Sequence, residues 1–171
     1  MSTQDLVEEG KLPEKEEALM NQDELIAGIL LASKFQESEE SNRKVQVRRS
    51  GDKVLFEFTI RPLREEEIQE CRKMVTKYRP DPRGKHFPKI EVDVDLIKLR
   101  SNKILKATVD TGNGIIWNNE ELKTKLNVLQ AIDVIDLVLL AGEKDKICDM
   151  IDEISGYGSE DGPTMEEAAK N

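Results

Sequence analysis

The sequence predicts a small α+β protein in which a β-hairpin or small sheet is followed by a helix-rich carboxy-terminal half. Apolar and polar residues alternate on both sides of a turn at residues 50–52, a period of two that is typical of paired strands. In residues 115–157 the apolar residues instead recur at the three- and four-residue spacing of helices. A chain of 171 residues can bury a core without disulfides, and we expect that core in the helical region.

Four segments are predicted along the chain. Residues 1–20 are acidic and show no sustained periodicity, which is typical of a disordered amino terminus. Residues 21–42 are interpreted as an amphipathic helix with a polar linker, and residues 43–157 as a single α+β domain. Residues 158–171 are small and acidic, and we interpret them as a flexible tail.

The amino-terminal helix is predicted to begin at a capping arrangement, since Asn21 is followed three residues later by Glu24. Its apolar side contains Leu25, Ile26, Ile29 and Leu30, with Phe35 beyond. Two interpretations of this helix remain open. Either it packs on its own domain, or it enters a groove of a partner protein. The acidic segments on both sides of the helix are the reason for considering the second possibility.

The predicted hairpin has one strand with Val45 and Val47 on its apolar face. The apolar residues of the other strand are Val54, Phe56, Phe58 and Ile60. A two-stranded hairpin alone is marginal in water. Its apolar face should therefore lie on helices or on further strands.

A helix is predicted after the hairpin, with Pro62 in its first turn. Its apolar face contains Ile68, Cys71, Val75 and Tyr78. Acidic residues near its start (Glu65, Glu66, Glu67) and basic residues near its end (Arg72, Lys73, Lys77) complement the helix dipole.

Residues 79–89 combine prolines with basic residues, which predicts a mobile surface loop, with contact to an anion as the alternative. The sequence Val92-Asp93-Val94-Asp95 then either ends a strand or caps the next helix. That helix is predicted to continue to about Val109.

Three helical patterns follow Trp117. Asn118, with Glu121 three residues later, is predicted to cap the first of them. A nearly continuous apolar run at residues 128–140 predicts a buried helix, and Gly142 is expected to end it in the left-handed conformation. The last helix has its apolar residues at Ile147, Met150, Ile151 and Ile154.

No catalytic, cofactor-binding or metal-binding residue set is predicted, and the chain is not expected to be an enzyme. The single histidine, His86, lies in the proline-rich loop and has no nucleophile pattern around it. The glycine-rich segment at residues 111–114 lacks the Lys-Ser/Thr ending of a phosphate loop and is interpreted as a turn. Cys71 and Cys148 have no zinc or disulfide spacing. The carboxylates Asp145, Asp149, Asp152 and Glu153 lack the calcium-loop pattern, and are interpreted as the solvated side of a helix.

Charge is unevenly distributed over a chain whose net charge is −9. Residues 1–42 hold 11 acids and three bases, residues 142–171 nine acids and three bases, and residues 72–90 seven bases and one acid. Such blocks form solvated faces or dock a charged partner.

Binding to nucleic acid or to a membrane is not predicted. A basic cluster does lie on the hairpin, at Arg43, Lys44, Arg48 and Arg49. The chain is nevertheless acidic and poor in aromatic residues that could stack on bases. It contains no apolar run of about 20 residues and no signal-peptide pattern, so a cytoplasmic protein is expected.

Three segments of the chain together resemble the phage tail assembly chaperones of the XkdN-like group. The first is Phe58-Thr59-Ile60-Arg61-Pro62-Leu63 followed by Glu65-Glu66-Glu67. The second is Ile116-Trp117-Asn118-Asn119-Glu120-Glu121-Leu122. The third is Leu139-Leu140-Ala141-Gly142-Glu143, leading to Ile151 and to Ile154-Ser155-Gly156-Tyr157. The resemblance rests on the order and spacing of these segments, and none of them is a catalytic signature.

The resemblance implies a helix-rich α+β protein of the host bacterial cytoplasm that is absent from the mature virion. It implies binding to the tape measure protein, a long helical protein with extended apolar faces, and help in recruiting tail tube subunits. It implies no cofactor and assigns no partner-binding residue, and it leaves the oligomeric state open. The alternative is a structural tail completion or neck protein of the virion. An enzyme or a nucleic-acid-binding regulator is the third hypothesis.

Overall fold

The computed structural model describes residues 21–158. The predicted disordered segment, residues 1–20, lies outside the described residues, as do residues 159–171 of the predicted tail. The described chain divides into two compact units, with the division after Ser33. The described residues of the first unit, 21–33, belong almost entirely to the helix α1 (Gln22–Phe35). Asn21 caps it as predicted, because its side-chain oxygen accepts the backbone N–H of Glu24 at 2.9 Å.

The second unit contains two antiparallel hairpins, five α-helices and two short 3-10 helices within the described residues. The first hairpin pairs β1 (Arg43–Arg48) with β2 (Val54–Ile60). The next helix, α2 (Glu65–Val75), passes directly into β3 (Thr76–Arg79), which pairs with β4 (Ile90–Val94). The chain then forms α3 (Leu96–Ala107), α4 (Glu120–Leu126), α5 (Ala131–Val138) and α6 (Ala141–Ile154). The predicted α+β class is therefore confirmed.

The core lies between the apolar face of the first hairpin and the helices α3, α5 and α6. At its centre Trp117, the only tryptophan of the chain, is 1% exposed. Its ring meets the edge of Phe58 with 5.1 Å between ring centroids, and its indole N–H donates to the hydroxyl of Thr108 at 2.9 Å. The first hairpin thus packs on helices, as its marginal stability in isolation requires.

The helix α2 differs from the prediction at both ends. Pro62 lies outside it, because the N–H of Arg61 donates to the carbonyl of Ala107 at 2.8 Å and holds this segment beside α3. Tyr78 was predicted on the helical face but lies in β3, where it pairs with β4. Residues 76–79 therefore form a strand because they pair with β4, although the position of Tyr78 fits the helical period.

The proline-rich segment joins β3 to β4, and the sequence predicted no strand before it. The two alternatives for the residues after it are both realised. Val94 ends β4, and the side chain of Asp95 caps α3 by accepting the N–H of Lys98 at 3.1 Å.

Two predicted helix boundaries were wrong in the carboxy-terminal half. Asn119, not Asn118, caps α4, because its side chain accepts the N–H of Leu122 at 3.0 Å. Gly142 does not end a helix in the left-handed conformation, since it lies inside the first turn of α6. The break falls at residues 139–140 instead, where the carboxylate of Glu143 accepts the N–H of Leu140 at 2.8 Å and starts the new helix. The left-handed helix end belongs to Asn127, after α4.

No helix in the described part of the chain is both long and apolar enough to cross a bilayer.

Candidate functional site

The histidine, cysteine and acidic residues that were weighed as catalytic or metal-binding candidates are dispersed in the structure. His86 is exposed in the connection between β3 and β4. Cys71 and Cys148 are buried and free, and burial raises the pKa of the Cys148 thiol to about 11. Because the thiolate is the reactive form of cysteine, this thiol is unreactive at neutral pH.

The carboxylates of α6 do not converge on one point. Asp145 pairs with Arg100, and Asp152 pairs with the ammonium of Lys103 at 2.6 Å. Among residues 21–158, no three histidine, cysteine or acidic side chains are grouped so that they could hold a metal ion. These acids therefore serve as ion-pair partners for α3 or face the solvent.

The basic residues of the first hairpin are mostly engaged within the protein. Lys44 pairs with Glu57 across the strands at 3.2 Å. Arg49 donates to both carboxylate oxygens of Glu143, at 2.7 and 2.9 Å, and also to the carbonyl of Val138. This bidentate pair fixes the hairpin turn to the start of α6, and the hydrogen bond from Arg49 is the main cause that lowers the pKa of Glu143.

We expect Glu143→Gln to weaken the dependence of stability on acidic pH. Because the pKa of Glu143 is lowered in the folded chain, the pair stabilises the fold above the ordinary glutamate pKa of about 4.3. That stability is lost as the pH falls through the folded-state pKa. Melting temperatures from pH 7 to pH 3 should therefore start lower for the variant and fall less steeply. Glu153→Gln, on an exposed residue of the same helix, is the control, and equal slopes for Glu143→Gln and the unaltered chain would contradict the prediction.

A charged cleft of about 500 Å³ lies between the segment before β1 and the start of α2. Both of its arginines are paired, because Arg61 binds Glu67 at 2.7 Å and Arg64 binds Glu37 at 2.5 Å. The hydrogen bond from Arg61 lowers the pKa of Glu67, so this group is a carboxylate at neutral pH and cannot act as a general acid. The cleft joins elements of the fold and has no arrangement for catalysis among its lining residues.

A buried polar network that the sequence analysis missed connects three helices. The ammonium of Lys144 donates to the carboxylate of Asp136 at 2.5 Å and to the hydroxyl of Ser101 at 3.2 Å. Ser101 in turn donates to Asp136. Lys144 is 5% exposed and Ser101 is fully buried, and the network joins α3, α5 and α6. The sequence signal that could have indicated this network is Asp136, an acidic residue within the apolar run of residues 128–140.

An open groove of about 590 Å³ runs between α2 and α3. Apolar side chains at Met74, Leu105 and Ile115 form much of its wall, and Met74 is 77% exposed. Met74 and Leu105 also line a neighbouring groove of about 300 Å³ that reaches the start of α5. These two grooves form an apolar strip on the surface of the second unit.

The most apolar exposed element is α1. Residues 25–32 are all apolar or glycine, yet no residue of α1 is buried. Ile29 is 59% and Leu31 is 73% exposed. A helix that is apolar around most of its girth is normally covered by other protein. This surface is therefore the strongest candidate for contact with a partner within residues 21–158.

The three segments that carry the family resemblance meet in the core. Phe58 from the first segment packs on Trp117 from the second. The N–H of Leu63, also from the first, donates to the hydroxyl of Ser155 from the third at 3.0 Å. The resemblance is therefore explained by residues that build the fold.

Comparison with protein families supports the resemblance. The family model described as phage XkdN-like tail assembly chaperone protein matches residues 28–170. No curated protein and no solved structure matches the chain. Since the family model covers most of the 171 residues, the chain belongs to the phage XkdN-like tail assembly chaperone family.

Proposed function

We propose that this tail assembly chaperone binds the tape measure protein through α1 and helps to recruit tail tube subunits during tail assembly. The observation that carries the proposal is the exposed apolar surface of α1. Family membership supports a role in assembly, and this helix supplies the surface that such a role needs.

The energetics favour a contact that orders the helix as it binds. A 14-residue helix is marginally stable when nothing packs against it. Burying one large aliphatic side chain stabilises a complex by about 1.5–3 kcal/mol. Several side chains of α1 can contribute in this way, and part of that energy offsets the cost of ordering the helix. An amphipathic or apolar helix in the groove of a helical partner is a common form of such recognition.

The test is co-expression of the chain with the tape measure protein, followed by measurement of how much tape measure stays soluble and co-purifies. We expect the unaltered chain to retain the tape measure in solution. The variant Ile29→Ser/Leu31→Ser should reduce co-purification by about tenfold or more, because it removes apolar area that the complex would bury. An unchanged yield of soluble tape measure with and without the chain would refute the proposal.

A matched control is provided by two apolar side chains of the second unit. Leu55 is 50% and Leu129 is 90% exposed, so Leu55→Ser/Leu129→Ser replaces two exposed aliphatic side chains by serine in elements other than α1. We expect this variant to bind as well as the unaltered chain. If both pairs of substitutions weaken binding equally, the contact is not specific to α1.

The proposal includes action in the host bacterial cytoplasm and absence from the finished particle. Mass spectrometry of purified virions separates this role from that of a structural tail completion or neck protein. A chaperone should be missing from the particles, whereas a constant copy number in each virion would favour the structural role.

A further inference from the structure

The second hairpin, residues 76–94, forms an arm that extends from the α2–α3 pair. Its base is closed by the N–H of Asp95, which donates to the carbonyl of Val75 at 3.1 Å. Arg72 and Glu91 form an ion pair beside this base at 2.6 Å. Beyond the base, side chains on both strands are exposed, including Tyr78 at 47% and Val92 at 58%. The arm therefore contributes little to the core and presents most of its surface to solvent.

The tip of the arm is held together by contacts among its own residues. Asp81 is 7% exposed, and its carboxylate accepts the backbone N–H of Arg83 at 2.8 Å and the guanidinium of Arg83 at 2.8 Å. The same guanidinium lies 4.4 Å from the ring centre of Phe87. A surface that is ordered before binding loses less conformational entropy when a partner arrives.

The other basic side chains of the arm are available to a partner. Arg79, Lys85 and Lys89 are exposed, and none of them forms an ion pair with any residue that the structure describes. The arm as a whole, residues 76–94, holds five bases and three acids, whereas its tip, residues 79–89, holds four bases and one acid. That acid, Asp81, already pairs with Arg83. The other three bases therefore give the tip a local positive charge that an acidic partner can neutralise.

We propose that the arm of one copy binds the acidic block, residues 1–42, of a second copy of this chain. The block holds 11 acids and three bases, so its charge is opposite to that of the arm. At physiological salt, charges more than about 8 Å apart are largely screened. Local attraction between the two segments can therefore exceed the repulsion between two chains of net charge −9.

Two further features define this contact. It joins different surfaces of the two copies, so it either adds copies one after another or closes into a two-fold dimer in which each arm binds the acidic block of the other copy. Nucleic acid fits the arm less well, because Arg83 already covers a face of Phe87 on which a base could otherwise stack. The inference does not depend on tape measure binding, because the chain alone is sufficient to test it.

The experiment is sedimentation velocity of the full chain at several protein concentrations, in about 50 mM and about 500 mM NaCl, since salt screens exposed charges. We expect the average mass to rise with concentration in low salt and to return to that of a monomer in high salt. The variant Arg79→Glu/Lys85→Glu/Lys89→Glu should remain monomeric in both buffers. Removing residues 1–20, which hold six acids and two bases, should also weaken the association.

The control variant is Lys53→Glu/Lys125→Glu/Lys146→Glu, which changes the net charge by the same amount at exposed sites outside the arm. It should associate as the unaltered chain does. A monomer under all conditions, or equal loss of association in the two charge-reversal variants, would overturn the proposal. Binding of a duplex DNA probe that competes with self-association would assign the arm to nucleic acid and would also overturn it.

Discussion

Ile135→Asp is expected to unfold the second unit. Ile135 is fully buried in α5, within the core that contains Trp117. An unpaired carboxylate at this place costs several kcal/mol, which is comparable to the whole stability of many domains. The buried apolar contacts of the isoleucine are lost as well.

The measurement is thermal unfolding followed by circular dichroism and by the fluorescence of Trp117. The variant should show no cooperative transition at temperatures where the unaltered chain is folded, and its tryptophan emission should resemble that of the denatured chain. Leu137→Asp is the matched control, because Leu137 lies on the same helix and is 61% exposed. A cooperative transition of Ile135→Asp at an unchanged temperature would show that the core is assigned wrongly.

Lys144→Met is expected to lower the free energy of unfolding by about 1–3 kcal/mol, the usual cost of leaving a hydrogen-bonding group without its partner, because the Asp136 side chain is 32% exposed and water can partly replace the ammonium. Its ammonium is the cation that faces both Asp136 and Ser101. Without it, the Asp136 carboxylate keeps only the hydroxyl of Ser101 among these groups and lies beside an apolar side chain. Urea denaturation followed by Trp117 fluorescence measures the change.

A double-mutant cycle separates the network from the methylene groups of the lysine. Asp136→Asn in the Lys144→Met background should restore part of the lost stability, because it removes the uncompensated charge. Lys146→Met changes an exposed lysine of the same helix and should have little effect. A loss in Lys144→Met no larger than that in Lys146→Met would contradict the assigned role of the network.

Local sequence patterns were sufficient for much of the fold. The first hairpin was predicted because its strands alternate between core and solvent around a turn in which Ser50 and Gly51 have positive φ. The capping of α1 by Asn21 was predictable because that signal lies within four residues. These features depend on residues that are close in sequence, so the local sequence pattern is sufficient to predict them.

The features that were missed depend on residues far apart in sequence. The second hairpin forms by pairing residues 76–79 with residues 90–94 across a proline-rich connection. Residues 90–94 do alternate between apolar and acidic side chains, but the partner strand follows α2 directly and its Tyr78 fits the helical period of that helix. Gly142 is a local exception: its residue type predicted the end of a helix, but the carboxylate of Glu143 caps Leu140, three residues away, and places Gly142 inside the first turn of α6. The Ser101–Asp136–Lys144 network could not be predicted, because Ser101 and Lys144 are 43 residues apart.

The proposed partner-binding surface could not be identified from the sequence either, because the three segments that carry the family resemblance contribute to the core. The structure directs attention to α1, whose apolar residues were recognised in the sequence while their exposure was not. Whether this helix packs on its own domain or enters a partner was left open by the sequence. Its lack of any buried residue supports the proposal that a partner covers it.

Hydrogen–deuterium exchange of the chain, with and without the tape measure protein, tests the central claim most directly. A short helix with no buried residue opens frequently, and its amides exchange quickly. We predict that the amides of residues 25–35 exchange quickly in the free chain and become strongly protected in the complex, while those of α5 change little. Protection that appears only on the second unit, with α1 exchanging as quickly as before, would contradict the account.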